Sequence, residues 1–208
     1  MSEIKWVFLD VGSTLVDESD VYESRCNYVI SEKGLEHDEF IEKVHQAAKV
    51  SPTPIKQAAQ TYGVALPEWD SSLEKLYLGT EDVLKALSGK YKLGIIANQL
   101  VGTQKRLHNW GVLQCFDVVA ASAEAGYGKP DLRIFKLALE QAGCNPQNAI
   151  MVGDRLENDI APARQLGMKT IWVRQGFAKY QSVEKECEKP DYIIENIDEI
   201  VKVLMGRT

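Results

Sequence analysis

Runs of consecutive apolar residues recur along the chain and predict strands that are buried on both faces. Five runs are clear and a sixth, at 191–194, is weaker; the five lie at 6–9, 93–97, 118–120, 149–152 and 170–173. An uninterrupted apolar run is typical of a parallel strand with helices above and below it, whereas a half-exposed strand alternates apolar and polar residues. The pattern therefore predicts a parallel sheet.

Helical patterns separate these runs from residue 93 onward. Apolar residues recur with helical spacing over 103–110, 132–142 and 159–166, and each segment is followed by a glycine that can end a helix. The alternation of strands and helices predicts an α/β fold with a Rossmann-like, doubly wound parallel sheet. In such a sheet the carboxyl ends of the strands lie along one edge, where ligands bind.

The first strand is followed by a segment that leaves this pattern. Helical spacing runs over 20–33, 38–50 and 55–62, Pro52 and Pro54 interrupt it before the third helix, and a fourth helix is expected over 71–77. We interpret residues 17–77 as a small all-α cap that stands over the carboxyl-end edge of the sheet. Residues 1–16 and 78–208 would then form the α/β core.

Composition narrows the classes of partner. The formal net charge is −6 and no basic stripe is present, which argues against nucleic acid as a partner. No apolar run approaches the length of a membrane span, and the amino terminus shows no signal-peptide pattern. The four cysteines are scattered without a CxxC pair, as expected of reduced thiols. These features predict a cytoplasmic protein without a membrane partner, and they leave monomer and homodimer open.

Polar clusters follow the predicted strands at the edge where ligands should bind. Asp10 follows the first run, Asn98 the second, Lys129 lies beyond the third, and Asp154 and Asp159 follow the fourth. Each cluster alone could be a turn or a helix cap, but their recurrence at successive strand ends favours one shared site. Carboxylates that converge there suit Mg²⁺, and a carboxylate beside the ion can attack phosphorus while a lysine neutralises phosphate charge.

These residues give the chain a resemblance to the haloacid dehalogenase superfamily, in particular to members with a helical cap inserted after the first strand. The first motif of that family, Asp-x-Asp-x-Thr, is matched by Asp10 and Thr14, and the third motif by Lys129 in a Gly-Lys-Pro-Asp setting. The fourth motif, Gly-Asp-x-x-x-x-Asp, is matched by Asp154 and Asp159. The order and spacing of these motifs agree with the family over nearly the whole chain.

The resemblance implies a role for each matching residue. Asp10 would be the nucleophile, with Lys129 as the second catalytic residue. Mg²⁺ would be held by Asp10, Asp154 and the backbone carbonyl of Gly12, with Asp159 supporting the metal site. The substrate would be bound by Thr14, Asn98 and Lys129.

Two positions depart from the family pattern. Gly12 stands where phosphatases of the family carry a second aspartate, which protonates the leaving group and later activates water. Ala97 stands where they carry a phosphate-binding serine or threonine. Because general acid–base catalysis contributes only about 10²–10⁴-fold, the loss at Gly12 indicates a slow or specialised enzyme rather than an inactive one. We expect aryl and acyl phosphates to react faster than alkyl phosphates, and Gly12→Asp to raise alkyl phosphatase activity.

Three functions remain open at this point. The leading one is a Mg²⁺-dependent hydrolase that acts on a small phosphorylated metabolite through an aspartyl-phosphate intermediate. The second is cleavage of a C–P bond, as in relatives that act on phosphonoacetaldehyde and use a cap lysine; the candidate lysines in this cap are Lys33, Lys43, Lys49 and Lys56. The third is a catalytically weak phosphate-binding or regulatory module. The sequence does not identify the physiological substrate.

Overall fold

A parallel sheet forms the centre of the molecule in a computed structural model that describes residues 3–206. The strands are β1 (Trp6–Leu9), β2 (Val16–Asp17), β3 (Lys75–Leu76), β4 (Lys92–Ala97), β5 (Val118–Ala121), β6 (Ala149–Gly153), β7 (Lys169–Val173) and β8 (Tyr192–Ile194). Six of them form one sheet in the order β5-β4-β1-β6-β7-β8, and all neighbours in it are parallel. The predicted Rossmann-like parallel sheet is confirmed.

The helices lie between these strands and in the segment after β2. They are α1 (Ser19–Lys33), α2 (His37–Ala48), α3 (Pro54–Thr61), α4 (Thr80–Ser88), α5 (Thr103–Asn109), α6 (Ser122–Ala125), α7 (Leu132–Gln141), α8 (Ala161–Gln165) and α9 (Ile200–Met205). Not one of the helices in residues 3–206 combines the length and the apolar character that crossing a membrane requires.

The central strand β1 shows why these strands are apolar throughout. Successive side chains of a strand point to opposite faces of the sheet. Val7 and Leu9 join a buried cluster with Leu87 of α4 on one face, whereas Phe8 joins Phe135 of α7 on the other. Both faces are therefore covered by helices, and no position of β1 is left for a polar residue.

Residues 17–77, which we call the helical insert, contain α1, α2 and α3. These helices pack around a buried cluster of their own, to which α1 contributes Val29, α2 contributes Phe40 and Val44, and α3 contributes Ile55 and Ala59. This separate cluster supports the proposed division into core and cap.

The end of the helical insert corrects one expectation. In place of a fourth helix over 71–77, the chain forms a 3₁₀ turn at Ser71–Leu73 and then the strand β3, which pairs antiparallel with β2. The turn begins with Asp70, whose carboxylate accepts a hydrogen bond from the backbone N–H of Ser72. Residues 75 and 76 then pair with β2 instead of continuing a helix. The resulting two-stranded ribbon joins the two ends of the insert where they leave the core.

The segment after β6 also differs from a simple helix. A π-helical turn at Leu156–Ile160 precedes α8, where one regular helix over 159–166 is expected from the sequence. The reason is local: the backbone N–H of Ile160 donates to the carbonyl of Arg155, five residues back, while the Asp159 carboxylate accepts from the backbone N–H of Arg155. This loop directs Asp159 back toward the sheet edge.

Candidate active site

Three aspartates meet at the carboxyl ends of β1 and β6. The two strands are neighbours, and Leu9 pairs with Val152, so Asp10 leaves the sheet beside Gly153, the residue before Asp154. Asp159 reaches the same point from the π-helical turn. Carboxylate oxygens of the three residues lie within 4.8 Å of one another, and all three side chains are buried. Three carboxyl groups this close together in a buried place can all be ionised only with a cation beside them.

Lys129 supplies one positive charge to this acidic cluster. Its Nζ lies 2.5 Å from Oδ1 of Asp10 and 2.5 Å from Oδ1 of Asp159. Burial opposes the charged form of the ammonium, but the two carboxylates outweigh that cost and raise the pKa of Lys129. The side chain is therefore a fixed positive charge at the floor of the site.

Asp159 is held in place through both of its carboxylate oxygens. Oδ1 accepts from Lys129, and Oδ2 accepts from the backbone N–H of Arg155 at 2.9 Å. Gly153 makes this position possible, because a Cβ there would lie 2.6 Å from Cβ of Asp159, inside the usual 3.5–4.0 Å contact distance of carbon atoms. Asp159 thus bonds to Lys129 within the acidic cluster, and its supporting role at a metal site stays a prediction.

Asp154 is the least compensated member of the cluster. Its carboxylate receives no hydrogen bond from the part of the chain that the structure describes, and burial together with Asp10 and Asp159 raises its pKa well above the usual range. Oxygen ligands of this kind fit Mg²⁺, which would restore the ionised form. Gly12 lines the same site, and its main-chain carbonyl is independent of the missing side chain. The donor set therefore fits the expected ion.

Asn98 is engaged with the backbone of Lys129. Its Nδ2 donates to the Lys129 carbonyl at 2.9 Å, and its Oδ1 accepts from the Lys129 N–H at 2.7 Å. The side chain still borders the site, but the two groups that could bind a substrate are largely used to fix Lys129. The structure thus places Asn98 between Lys129 and the cavity, and its substrate-binding role stays a prediction.

Thr14 does not reach the site. Its side chain is fully buried, it is absent from the lining of the cavity described below, and Oγ1 has no hydrogen-bond partner among residues 3–206. The loop from Asp10 turns sharply at Ser13, which has a φ of 53° and directly precedes Thr14. The expected contact between Thr14 and a substrate is not what the structure shows.

A cavity of about 770 Å³ lies between this cluster and the helical insert. Its floor includes Asp10, Lys129 and Asp154. Its opposite wall comes from the insert and includes Tyr22, Arg25, Pro54, Ile55, Lys56, Leu66 and Trp69. A volume of this order is typical of a small-molecule site.

Comparison with known proteins shows relatives over most of the chain. A family model described as HAD-hydrolase-like matches residues 126–200. The glyceraldehyde 3-phosphate phosphatase of Methanopyrus kandleri is 30% identical over 195 residues, which cover 92% of this chain and 82% of that protein. The chain belongs to the haloacid dehalogenase-like hydrolases. The relatives are named phosphatases, so this family member is a phosphatase-type hydrolase.

Two further comparisons define how far the likeness extends. The glyceraldehyde 3-phosphate phosphatase of Methanocaldococcus jannaschii is 38% identical over 122 residues, 58% of this chain, and the match spans only 51% of that protein. The HAD-hydrolase YfnB of Bacillus subtilis, in a crystal structure bound to magnesium, superposes with a TM-score of 0.72 at 19% identity, covering 98% of this chain and 100% of that one. The latter likeness shows the shared fold.

The structure adds one acidic residue that the sequence motifs do not mark. Glu18 of this haloacid dehalogenase-like hydrolase precedes α1, lines the cavity and is buried. Its Oε2 accepts hydrogen bonds from Ser13 Oγ at 3.0 Å and Tyr22 OH at 2.5 Å. Burial raises the pKa of Glu18 to about 7. In the sequence, Glu18 lies among other acidic residues at a helix start, a common surface pattern, so only its position in space distinguishes it.

The four candidate lysines of the insert are not equivalent. Lys56 borders the cavity, whereas Lys33, Lys43 and Lys49 do not. Lys43 lies over the ring of Tyr62, and Lys49 donates to Gln46. Among these lysines, the hypothesis of a C–P hydrolase therefore rests on Lys56.

Two contacts hold the insert against the core. Arg155 donates from Nη2 to the carbonyl of Ser51 at 2.5 Å, and the same guanidinium pairs with Glu157 at 2.8 Å. The Tyr180 hydroxyl lies 2.9 Å from Nε2 of His45, and the two rings stack with centroids 4.3 Å apart. These contacts keep the wall of the cavity over its floor.

Proposed function

We propose that the chain is a Mg²⁺-dependent phosphatase that acts on a small phosphorylated metabolite through an aspartyl-phosphate on Asp10. The observation that carries the proposal is the convergence of Asp10, Asp154 and Asp159 on one point, with Lys129 as the buried cation between them. Phosphoryl transfer depends mostly on positioning and on stabilisation of charge, and this group of residues can supply both.

Asp10 is suited to the role of nucleophile. Lys129 contacts its Oδ1, while within residues 3–206 no hydrogen-bond donor contacts Oδ2, which leaves that oxygen available for attack on phosphorus. Lys129 would stabilise the phosphoryl oxygens during transfer. When bound by Asp10, Asp154 and the Gly12 carbonyl, Mg²⁺ would neutralise further phosphoryl charge. Hydrolysis of the aspartyl-phosphate would then regenerate Asp10.

The helical insert supports a small substrate. Its residues enclose the cavity of about 770 Å³, and Arg25 and Lys56 add positive charge on the wall opposite Asp10. Several relatives are named glyceraldehyde 3-phosphate phosphatases, so short phosphorylated sugars and aldehydes are the first substrates to test.

A screen of phosphorylated metabolites tests this proposal. We expect phosphate release with Mg²⁺, none after treatment with EDTA, and none from Asp10→Asn. Asp82→Asn, which changes an exposed aspartate on α4, should retain full activity and serves as the control. Phosphate release that survives both EDTA and Asp10→Asn would reject the proposal, and binding of Mg²⁺ and phosphate without any turnover would favour the regulatory module.

Cleavage of a C–P bond is the second candidate, favoured by the position of Lys56 at the cavity. A Schiff base between Lys56 and a phosphonate aldehyde could be trapped with borohydride and located by mass spectrometry. A stable adduct on Lys56 that is lost in Lys56→Met would support this candidate. The absence of any adduct would leave phosphate ester hydrolysis as the function.

A further inference from the structure

The carboxyl group of Glu18 fills the space that a side chain at position 12 would occupy. A Cβ built on Gly12 would stand 2.9 Å from the carboxyl carbon of Glu18 and 3.0 Å from Oε2, with Oε1 nearer still. These separations are well inside van der Waals contact. The carboxyl group of Glu18 can therefore occupy this position only because residue 12 is a glycine.

The contacts of Glu18, which lines the cavity, leave one of its carboxyl oxygens without a hydrogen bond from residues 3–206. Ser13 and Tyr22 both bond to Oε2, and no donor in the described part of the chain bonds to Oε1, the atom nearest Gly12. Ser13 is itself held in a left-handed turn, with a φ of 53°, between Gly12 and the start of α1. The carboxyl group is thus held through Oε2, while Oε1 receives no hydrogen bond from the described residues.

Helix capping and ion pairing do not account for this position. Glu18 is the residue at the amino-terminal cap of α1, yet its side chain makes no capping hydrogen bond. No lysine or arginine among residues 3–206 forms an ion pair with it, although it is only 8% exposed. A buried carboxyl group that neither caps a helix nor forms an ion pair costs stability. Its hydrogen bonds from Ser13 and Tyr22 hold the carboxyl group in place beside the cavity.

We propose that Glu18 is the proton-transfer residue of the active site, in the place that Gly12 leaves vacant. This inference rests on the phosphatase function proposed above. Glu18, at the start of the helical insert, would carry out the proton transfer for which position 12 has no side chain.

The two half-reactions balance with one proton on Glu18. In the first, an Asp10 oxygen forms a bond to phosphorus, the bond from phosphorus to the ester oxygen breaks, and that oxygen leaves as an alcohol with the proton of Glu18. In the second, a water oxygen attacks phosphorus and gives a proton to the Glu18 carboxylate. The bond from phosphorus to Asp10 breaks, phosphate departs, and both residues return to their starting states.

Leaving-group dependence separates proton transfer from a structural role. A poor leaving group such as an alkoxide needs protonation, whereas 4-nitrophenolate does not. In Glu18→Gln, kcat/KM for alkyl phosphates should fall by about 10²–10⁴-fold, the usual contribution of general acid–base catalysis. The value for 4-nitrophenyl phosphate should fall by less than about tenfold, because kcat/KM there reports only the formation of the aspartyl-phosphate. Glu23→Gln, an exposed glutamate of α1, is the matched control.

The second half-reaction gives an independent readout. Without Glu18 to activate water, the aspartyl-phosphate should accumulate during turnover of 4-nitrophenyl phosphate. It would be detected as a burst of 4-nitrophenol and as a phosphorylated Asp10 after acid quenching. A third readout moves the acid to position 12. Glu18→Ala clears the space for it, so the double variant Gly12→Asp/Glu18→Ala should have at least about tenfold more alkyl phosphatase activity than Glu18→Ala alone.

The outcomes distinguish this inference from the proposed function. An equal loss on alkyl and aryl phosphates, with no accumulated intermediate and no gain in the double variant, would overturn the role of Glu18 while leaving the phosphatase in place. Unchanged activity in Glu18→Gln would do the same. If the unaltered chain released no phosphate with Mg²⁺, both the proposed function and this inference would be rejected.

Discussion

The side chain of Asn98 forms two hydrogen bonds with the backbone of Lys129, one through Oδ1 at 2.7 Å and one through Nδ2 at 2.9 Å. Asn98 directly follows β4, and Lys129 lies in the loop after β5 and α6. The pair therefore ties two neighbouring loops together and fixes the start of the lysine side chain. The contact joins residues that are 31 positions apart in the chain. It fixes the backbone of Lys129, from which the side chain extends to place Nζ against Asp10.

Asn98→Ala should lower activity by misplacing Lys129 while leaving the fold intact. Two hydrogen bonds are lost, and each contributes roughly 0.5–1.5 kcal/mol to stability. We expect the free energy of unfolding in urea to fall by about 1–3 kcal/mol and kcat to fall by about tenfold or more. Asn109→Ala, an exposed asparagine at the end of α5, should change neither. A kcat equal to that of the unaltered chain would show that Asn98 does not position Lys129.

Lys129→Met should leave the three buried carboxylates without their internal cation. Removing one partner of a buried ion pair costs about 3–5 kcal/mol, so the metal-free variant should unfold at a clearly lower urea concentration. Added Mg²⁺ should raise its melting temperature more than that of the unaltered chain, and kcat should fall by about 10²–10³-fold. Lys136→Met changes an exposed lysine of α7 and is the control. A variant as stable as the control without metal would contradict the geometry of this site.

The metal-free protein should lose stability as the pH rises from about 4.5 to above 7. Burial raises the pKa of Glu18 to about 7 and that of Asp159 to about 6, so the folded chain binds protons that the unfolded chain has released. This stabilisation is fully present below the pKa that each group has in the unfolded chain, and it is lost as the pH rises through the pKa that the group has in the folded chain. Glu18 alone accounts for up to about 3 kcal/mol.

Urea unfolding in EDTA at pH 5 and pH 8 measures this effect. Glu18→Gln should reduce the difference between the two pH values, and Mg²⁺ should reduce it as well by stabilising the ionised carboxylates. A metal-free protein that becomes more stable between pH 5 and pH 8 would contradict the burial of these acids.

Gly12→Asp alone should not raise alkyl phosphatase activity, in contrast to the expectation from the sequence. The new Cβ would stand 2.9 Å from the carboxyl carbon of Glu18, and two carboxylates would crowd one space. Overpacking typically costs about 1–3 kcal/mol, which should appear as a lower free energy of unfolding in urea. A stable variant with several times the alkyl phosphatase activity of the unaltered chain would show that the Glu18 side chain moves aside at little cost.

Arg155→Met should loosen the helical insert rather than slow the chemistry. The guanidinium donates to the Ser51 carbonyl, a bond from a charged donor worth roughly 1.5–3 kcal/mol. We expect KM to rise by about tenfold with little change in kcat, and the amides of α3 to exchange hydrogen faster. Arg133→Met, on the exposed side of α7, provides the comparison. A fall in kcat at constant KM would indicate that Arg155 acts on the reaction itself.

The sequence by itself determined the sheet and its ligand-binding edge. Uninterrupted apolar runs at β1, β4 and β6 have only one stable arrangement, which is burial on both faces, and the polar residues after them must then meet at one edge. Asp10 and Asp154 were accordingly predictable as neighbours, and Lys129 as a residue of the same edge. Local spacing also predicted α1, α2 and α3, because their apolar positions recur with helical period.

Only the tertiary structure decided which side chains are free to act. Thr14 and Asn98 match the positions of functional residues in the chain, yet one is turned away from the cavity and the other is engaged with Lys129. Glu18 has no motif, and its carboxyl group is brought against Gly12 by the turn at Ser13. Periodicity reports which face of an element is buried, but contacts between loops depend on backbone turns and on partners distant in sequence, which no local pattern encodes.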